Sequence, residues 1–348
     1  MSVKYLVGMS GGVDSSVAAL LLQKNGFECI GGTMNLYTGG TEYMEELQDA
    51  SDAASRLGIL HISLDASEDF ENKVIRPFVQ VYECGGTPNP CITCNRTMKF
   101  TRMYQFAREL GCDGIATGHY ARIEQREDGR WLLKKGRDEN KDQSYFLYVM
   151  TQEILSYTQF PVGDLTKEQV RSLAEDYGLI NARKRDSQDI CFVPDGDYEA
   201  FIRRYTGKDY PAGDFVDKDG CVLGRHKGII GYTIGQRRGL GVSSEKPLYV
   251  CRKCVEDNSI LLTGNDELYT KELYADGLNL ITEDCLSGAI RCKARIRYRH
   301  REQPATVTQL DSDRIKVVFD EPQRAVTGGQ AVVLYDGDTV IGGGTIQT

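Results

Sequence analysis

Short apolar runs and amphipathic stretches alternate along the first half of the chain. The apolar runs predict strands: KYLVGM (4–9), FECIGGTMNLY (27–37), ILHISLD (59–65) and CDGIATGHYA (112–121). The stretches between them predict helices: VAALLLQKNG (17–26), EYMEELQDASDAASRLG (42–58), DFENKVIRPFVQVY (69–82, with a break near Pro77) and TMKFTRMYQFARELG (97–111). A later helix, TKEQVRSLAEDYGL (166–179), begins with a capping box of Thr166 and Gln169. This βαβα order predicts an α/β fold with a doubly wound, mostly parallel sheet.

The pattern changes near residue 208, where glycines, turns and short alternating runs take over. The alternating runs predict strands at ARIRYRH (294–300), RIKVVFDEP (314–322) and QAVVLYDGDTVIGGG (330–344). An Asp-Gly pair at 336–337 predicts a hairpin turn. We therefore predict three domains: a catalytic domain over residues 1–207, a small β-rich central domain over 208–275 and a C-terminal β-barrel over 276–348.

Composition is that of a globular protein, with 41% hydrophobic and 26% charged residues among 348. No apolar run approaches the roughly 20 residues that span a bilayer, and the N-terminus lacks the features of a signal peptide. These features predict a cytoplasmic protein with no membrane partner. The eleven cysteines are an odd number scattered over the chain, so structural disulfides are not expected. Cys29 and Cys112 lie in apolar surroundings and are interpreted as small hydrophobic residues.

Net charge is −8, which argues against a nucleic-acid partner until its distribution is considered. Residues 291–301 carry six Arg and Lys with no acid, and residues 224–238 carry four more with no acid. Local patches rather than the total decide where a phosphate backbone docks. The alternative is a solvated strand face, which basic runs often are. Two such stretches in an acidic chain favour nucleic-acid binding.

The stretch SGGVDSS (10–16) follows the first strand and opens the first helix. Backbone N–H groups at such a helix end point at one spot and favour an anion. Gly11 and Gly12 allow close approach, and Asp14 is a candidate ligand for Mg²⁺ beside phosphates. The stretch resembles the pyrophosphate loop of the ATP pyrophosphatases, enzymes that cleave ATP between the α and β phosphates. The alternative, a plain glycine-rich turn, is disfavoured by the full match in strand–loop–helix context.

Two further motifs carry candidate chemistry. ATGHY (116–120) follows a predicted strand, and in the ATP pyrophosphatases this turn lies beside the nucleotide. A lone histidine such as His119 is more often a packed core residue. TPNPCITCN (87–95) holds Cys91 and Cys94 in a C-x-x-C spacing. That spacing alone is compatible with zinc, disulfide exchange, an iron–sulfur cluster or activated sulfur.

Taken together, these motifs make the chain similar to the bacterial tRNA-specific 2-thiouridylase family, whose catalytic fold is adenine nucleotide alpha hydrolase-like. The matching elements lie in the family's order: GMSGGVDSS (8–16), Met34, TPNPCITCN (87–95), ATGHYAR (116–122), KDQSYFL (141–147), DSQDICFV (186–193), GRHKGIIGYTIGQRRGLG (224–241) and ARIRYR (294–299). The resemblance implies adenylation of the C2 oxygen of the wobble uridine in tRNAs for Lys, Glu and Gln. Sulfur then attacks C2, and AMP leaves.

The resemblance also implies residue roles, cofactors and partners. Cys94 matches the nucleophile, and Cys191 matches the cysteine that carries persulfide sulfur. Nucleotide contacts match Gly8, Met9, Ser10, Gly11, Gly12, Val13, Asp14, Ser15, Met34 and Gly118. The target base and tRNA match Asn89, Pro90, Cys91, Lys141, Asp142, Gln143, Arg297 and Tyr298. The implied cofactors are ATP and Mg²⁺, and the implied partners are tRNA and a cysteine desulfurase or sulfur-relay protein.

Cys91 leaves the sulfur chemistry open, because many family members carry Asp at this position. Cys91, Cys94 and Cys191 could instead hold a [4Fe–4S] cluster whose open iron binds hydrosulfide. Persulfide transfer with a disulfide-forming nucleophile and cluster-bound sulfide are therefore both retained, and zinc is a weaker option. We also expect Cys94 to lie near the N-terminus of the 97–111 helix, which would favour its thiolate, as would Arg96 and Lys99.

Two other functions compete with tRNA thiolation. An ATP pyrophosphatase acting on a small molecule would share the glycine-rich loop, but the basic C-terminal domain and the paired cysteine motifs count against it. A non-catalytic tRNA- or cluster-binding protein that kept the fold is disfavoured by the intact SGGVDSS loop.

Overall fold

A five-stranded parallel sheet forms the centre of the N-terminal half in this computed structural model, which describes residues 2–37, 42–179, 181–182 and 190–347. Its strand order is β3-β2-β1-β4-β7, and every pairing is parallel. The strands are β1 (Lys4–Gly8), β2 (Glu28–Asn35), β3 (Leu60–Asp65), β4 (Gly114–Thr117) and β7 (Thr158–Gln159). Chain order reverses between β1 and β4, and such a switch point is where open α/β sheets bind ligands.

Helices cover both faces of this sheet, as the sequence predicted. Their bounds are α1 (Val13–Lys24), α2 (Glu42–Leu57), α3 (Ser67–Phe70), α4 (Arg76–Glu83), α5 (Pro90–Cys94), α6 (Met103–Glu109), α7 (Ser144–Leu147), α8 (Gln152–Ser156), α9 (Lys167–Asp176) and α10 (Tyr198–Thr206). Side chains alternate along β1, so Val7 packs with α1 and α2 whereas Leu6 packs with α6. The capping box of Thr166 and Gln169 at the start of α9 is confirmed.

Two helices differ from their predicted form. The predicted break near Pro77 is wrong, because a π-helical turn over Glu71–Ile75 joins α3 to α4 without interruption. Pro77 lies at the start of the α4 segment, directly after the π-helical turn. The helix predicted over residues 97–111 begins earlier, at Pro90. A π-helical segment, Asn95–Arg102, joins α5 to α6. We call this unit, residues 90–109, the cysteine helix.

The β-rich second half consists of a small sheet and a closed barrel, as predicted. The small sheet has the order β10-β11-β8-β9 and contains β8 (Gly213–Val216), β9 (Val222–His226), β10 (Tyr249–Cys254) and β11 (Ser259–Thr263). The barrel closes because its last strand also pairs with its first. Its strands are β12 (Tyr269–Leu280), β13 (Ala289–Arg295), β14 (Gln303–Gln309), β15 (Ile315–Arg324), β16 (Ala331–Asp336) and β17 (Thr339–Ile346). Strand β12 crosses the predicted 275/276 boundary, and both domain boundaries remain predictions.

Several details of the second half were predicted and others were not. The hairpin turn at residues 336–337 is confirmed between β16 and β17. The single strand over residues 294–300 is wrong, because β13 ends at Arg295 and residues 296–302, the barrel loop, follow. A hairpin of β5 (Ala121–Gln125) and β6 (Trp131–Lys135) was missed, and it extends the barrel sheet by pairing with β17. No helix in the described ranges has the length and apolar character needed to cross a bilayer.

Lys253 joins the central sheet to the catalytic domain. Its side chain is 8% exposed, and its Nζ donates hydrogen bonds to Tyr232 O (2.9 Å) and Gly86 O (3.4 Å). Burial lowers the pKa of Lys253 to about 8. This contact lies directly before residues 87–95, so it fixes the approach to the cysteine helix.

Substitution Lys253→Met should change how stability depends on pH. Between about pH 8 and pH 10, the unfolded chain holds the Lys253 proton and the folded chain releases it, so the residue's contribution to stability rises with pH. We expect the wild type to gain about 1 kcal/mol per pH unit relative to the variant in this range. Urea unfolding at several pH values measures the difference. The exposed Lys218→Met variant is the control, and parallel pH curves for wild type and Lys253→Met would contradict the prediction.

Candidate active site

The glycine-rich loop lies at the carboxyl end of β1 and leads into α1. Gly12 is the N-cap of α1, and no side chain caps the first N–H groups of this helix. Ser15 Oγ donates to Gly12 O (3.1 Å) and accepts a bond from Ser10 N (3.3 Å). Gly11 has a φ of +70° and lies against α2, where an added Cβ would come within 2.6 Å of Glu46 O. The loop therefore presents uncapped N–H groups, the arrangement that binds phosphate.

Asp14 makes contacts that sequence reasoning missed. Lys167 Nζ lies 2.8 Å from both carboxylate oxygens, and Tyr120 donates a 2.7 Å hydrogen bond to Oδ1. Asn181 Nδ2 also donates to Gly11 O (3.1 Å). An ammonium thus takes the place expected for Mg²⁺, so Asp14 as it stands does not fit that ion. Since Lys167 lies 153 positions away in sequence, no local pattern indicated the pair.

The turn after β4 closes on this loop. A Cβ at Gly118 would lie 2.5 Å from the carbonyl carbon of Asp14, so only glycine permits the contact. His119 is buried, forms a 2.7 Å hydrogen bond with Thr117, and has a pKa held well below its usual value by burial. It is therefore a neutral packed histidine, the more conservative of its two interpretations. Met34 lies partly buried near the end of β2.

The cysteine helix places its two thiols differently. Cys91 is at the second helical position, directly after Pro90, and is exposed. Cys94 lies three residues further along and is buried. Because the helix begins at Pro90 rather than at residue 97, Cys94 is its fifth residue and lies just beyond the first turn. A π-helix bonds residues i and i+5, which brings Lys99 onto the face of Cys94.

Burial dominates the electrostatics of the thiols. It raises the pKa of Cys94 to about 12 and the pKa of Cys191 to about 11, and it also raises that of Cys91. Cys91 and Cys191 are exposed residues, yet enough protein surrounds each sulfur atom to desolvate its thiolate. The positive charge of Lys99 opposes the shift at all three thiols. The prediction that the pKa of Cys94 would be lowered is therefore wrong in this conformation. The prediction that the charge of Lys99 would favour the thiolate is confirmed.

Cys191 lies in a turn anchored by its neighbour. The ring of Phe192 packs edge-on against Phe70 and Phe78, at centroid distances of 5.7 and 5.2 Å. The carboxylate of Glu46 adds to the raised pKa of Cys191, and the backbone of the same residue touches Gly11. Glu46 therefore links the surroundings of Cys191 to the glycine-rich loop. Residues 186–189 of the DSQDICFV motif lie outside the described residues.

The three thiols do not form a metal site in this arrangement. Within residues 2–37, 42–179, 181–182 and 190–347, no three Cys, His, Asp or Glu side chains lie close enough together to bind one ion. The described conformation therefore does not fit the [4Fe–4S] cluster that the sequence left open.

Three family models match the chain: tRNA methyl transferase HUP domain over residues 3–195, tRNA methyl transferase PRC-barrel domain over 199–263 and Aminomethyltransferase beta-barrel domain over 270–346. The tRNA-specific 2-thiouridylase MnmA of Clostridioides difficile (strain 630) is 47% identical, over 100% of this chain and 99% of that protein. The Acetivibrio thermocellus protein of the same name is 49% identical, over 99% of each. The chain belongs to the tRNA-specific 2-thiouridylase family. This confirms the family and the enzyme class, tRNA sulfurtransferase, that the sequence predicted.

Solved structures resemble this family member only weakly. A 4-thiouridine synthetase in complex with RNA and bound ATP aligns with a TM-score of 0.37 and 17% identity, over 55% of this chain and 45% of that one. A likeness this low adds nothing about function.

The residues that the 2-thiouridylase resemblance assigned to tRNA occupy two settings. Asn89 and Pro90 start the cysteine helix, and Lys141 is partly buried in the turn before α7. Asp142 is 5% exposed and accepts hydrogen bonds from Gly136 N and Ser144. Its carboxylate is thus used inside the protein.

The other three tRNA assignments also have protein partners. Gln143 Oε1 accepts a hydrogen bond from Tyr120 N (2.9 Å). Arg297 donates to Ala325 O (2.6 Å), and burial lowers its pKa. Tyr298 packs against Phe146, with ring centroids 4.4 Å apart.

Substitution Gly118→Ala should weaken nucleotide binding. The new Cβ would push the Asp14 backbone out of position, and we expect ATP affinity to fall about tenfold or more, which is about 1.4 kcal/mol. Titration calorimetry measures the affinity, and thermal melting checks the fold. Gly264→Ala is the matched control, because no atom lies within 4 Å of its Cβ position and its φ of −66° suits alanine. Unchanged ATP affinity in folded Gly118→Ala would contradict the prediction.

Substitution Lys99→Met should slow alkylation of the cleft thiols. Loss of the positive charge raises the thiol pKa further, and the thiolate is the reactive form. We expect iodoacetamide to modify Cys191 several-fold more slowly at about pH 8.5, as read for each cysteine by mass spectrometry. Arg96→Met is the control, because Arg96 is an exposed cation on the same helix that does not act on these thiols. Equal rates in wild type and Lys99→Met would show that the charge does not act there.

Proposed function

We propose that this chain is an ATP-dependent tRNA-uridine 2-sulfurtransferase. It adenylates the C2 oxygen of the wobble uridine in tRNAs for Lys, Glu and Gln, and replaces that oxygen with sulfur. The observation that carries the proposal is that two charged side chains link the thiols to the glycine-rich loop and to the turn at Gly118. Glu46 touches Gly11 and acts on Cys191, and Lys99 acts on Cys94 and on His119, the neighbour of Gly118.

In the first step, the N–H groups that begin α1 bind the phosphates of ATP. The uridine C2 oxygen attacks the α-phosphorus, the bond to the β-phosphate breaks, and pyrophosphate leaves. A free carboxylate at Asp14 would repel the triphosphate, and its pairing with Lys167 removes that repulsion. Because Asp14 does not fit Mg²⁺ in this arrangement, no step is assigned to the ion.

In the second step, sulfur enters through Cys191. This residue is exposed, so a sulfur-donor protein such as a cysteine desulfurase or relay protein can reach it, whereas Cys94 is buried. The terminal sulfur of a Cys191 persulfide attacks C2, a proton is released, and the C2–O bond breaks as AMP leaves. The Cys94 thiolate then attacks Cys191 Sγ. The uridine keeps the terminal sulfur, and the two cysteines form a disulfide.

A cellular thiol reductant restores both thiols before the next turnover. This requirement favours the reducing cytoplasm as the compartment in which the enzyme works. The raised pKa of Cys94 means that its thiolate forms at the moment of attack rather than at rest, with Lys99 as the nearby positive charge that stabilises it.

Single substitutions Cys94→Ser and Cys191→Ser test the assignment. We expect each variant to lose roughly 10²-fold or more of its tRNA thiolation rate, measured by mass spectrometry of nucleosides after reaction with ATP, tRNA and a persulfide donor. Cys221→Ser is the control, because Cys221 is exposed in the central sheet region. Full activity in both variants would overturn the assignment of the nucleophile and the carrier.

The same assay separates the remaining alternatives. Cys91→Ser should keep thiolation. Loss of thiolation in this variant, together with iron and sulfide in anaerobically purified wild-type protein, would favour a cluster instead.

tRNA binding should weaken steeply with salt. Pyrophosphate release that requires no tRNA, with a flat salt response, would favour a small-molecule substrate.

A further inference from the structure

Residues 142–147, which we call the junction segment, link three parts of the molecule that are far apart in sequence. The segment contacts the barrel and the cysteine helix directly, and it reaches the glycine-rich loop through Tyr120. The segment includes α7 and is mostly buried. Its contacts to each part differ in kind, and each is a specific side-chain interaction.

The contact with the barrel combines charge and ring packing. Asp142 lies 3.6 Å from Arg295 at the end of β13, and Arg295 and Lys135 both pair with Glu302 (3.3 and 2.7 Å). Glu302 and Arg295 are 11% and 16% exposed in their side chains, so solvent screens this cluster less than a surface pair. Between these charges, Tyr298 of the barrel loop lies on the ring of Phe146 at 4.4 Å. The barrel loop is thus held against the junction segment at several points.

The contact with the glycine-rich loop runs through Tyr120. Gln143 accepts from Tyr120 N through its side chain and donates to Tyr120 O through its backbone, both at 2.9 Å. The hydroxyl of Tyr120 then donates to Asp14 at 2.7 Å. A shift of Gln143 therefore moves the group that positions Asp14.

The contact with the cysteine helix is made by Phe146 again. Its carbonyl accepts a 3.3 Å hydrogen bond from Asn95 Nδ2. Asn95 is 2% exposed and directly follows Cys94. One residue therefore holds the barrel loop through its ring and the cysteine helix through its backbone.

We propose that Phe146 and Asn95 are positioning residues that couple RNA seating on the barrel loop to assembly of the catalytic cleft. The inference rests on the proposed function. The barrel loop carries exposed Arg299 and Arg301 beside Tyr298, so an RNA backbone that docks there presses on the Tyr298–Phe146 contact. The packed segment transmits that displacement to Asn95 and to Gln143. A bound uridine is thereby adenylated faster when the RNA around it also contacts the barrel loop.

Substitution Phe146→Leu tests the coupling, because it removes the ring contact and keeps the backbone carbonyl. We expect tRNA affinity to stay within about twofold, while pyrophosphate release at saturating tRNA slows about tenfold. Release with a short uridine-containing RNA that is too small to reach the barrel loop should be unchanged. Asn95→Ser should slow release at saturating tRNA similarly, with the ring contact intact. Phe106→Leu is the matched control, since Phe106 is a half-buried phenylalanine on the cysteine helix away from the junction segment. Thermal melting confirms that each variant is folded.

Three results would overturn the inference. If tRNA affinity and release at saturating tRNA fall together, Phe146 only shapes the RNA contact. If release with the short RNA falls equally, Phe146 supports the cleft whether or not RNA reaches the barrel loop. If the wild type releases pyrophosphate no faster with tRNA than with the short RNA, no coupling exists. The thiolation activity of the wild type and of Cys94→Ser decides the proposed function separately.

Discussion

The arrangement of this protein depends on the close approach of two backbone turns at the carboxyl ends of β1 and β4. Gly118 lies so near Asp14 and Ser15 that a Cβ would come within 2.5 Å of the Asp14 carbonyl carbon. Since adjacent parallel strands lie about 4.8 Å apart, the two turns can share a cleft only if one of them has no side chain at the point of contact. The approach places Asp14, Tyr120 and the first turn of α1 around one spot. It also aligns the cysteine helix with the loop, because α6 packs on the opposite face of the same strands.

Desolvation makes charge costly at the buried groups of this region, and the described residues offset the cost in two ways. Asp14 has a cationic partner in Lys167, which balances its carboxylate beside the proposed phosphate site. The thiols of Cys94 and Cys191 are protonated at rest, because desolvation outweighs the charge of Lys99. Protonated thiols resist oxidation and stray alkylation. The reactive form is therefore confined to the moment when substrate and donor are in place.

The sequence predicted what depends on local patterns. The strands and helices of the first half, the capping box at Thr166 and the hairpin at residues 336–337 follow from periodicity and turn chemistry, and the family follows from ordered motifs. The errors share a cause, which is contact between distant residues. Strand β6 of the β5–β6 hairpin pairs with β17, more than 200 positions away, where Lys134 lies opposite Thr339. The helix was predicted from residue 97, yet Pro90 starts it, so Cys94 lies within the helix and is buried.

The same distant contacts explain why catalysis and RNA binding need not be independent here. Two domains joined by a flexible linker would bind RNA and nucleotide with no exchange of free energy between the sites. In this chain the barrel instead shares an extended sheet with the β5–β6 hairpin of the catalytic half. That hairpin starts next to Tyr120 and ends next to Gly136, whose N–H donates to Asp142. A motion of the barrel therefore reaches the junction segment by two routes. One route is the hairpin backbone, and the other is the Tyr298–Phe146 contact. Both routes end at groups that position Asp14 and Cys94.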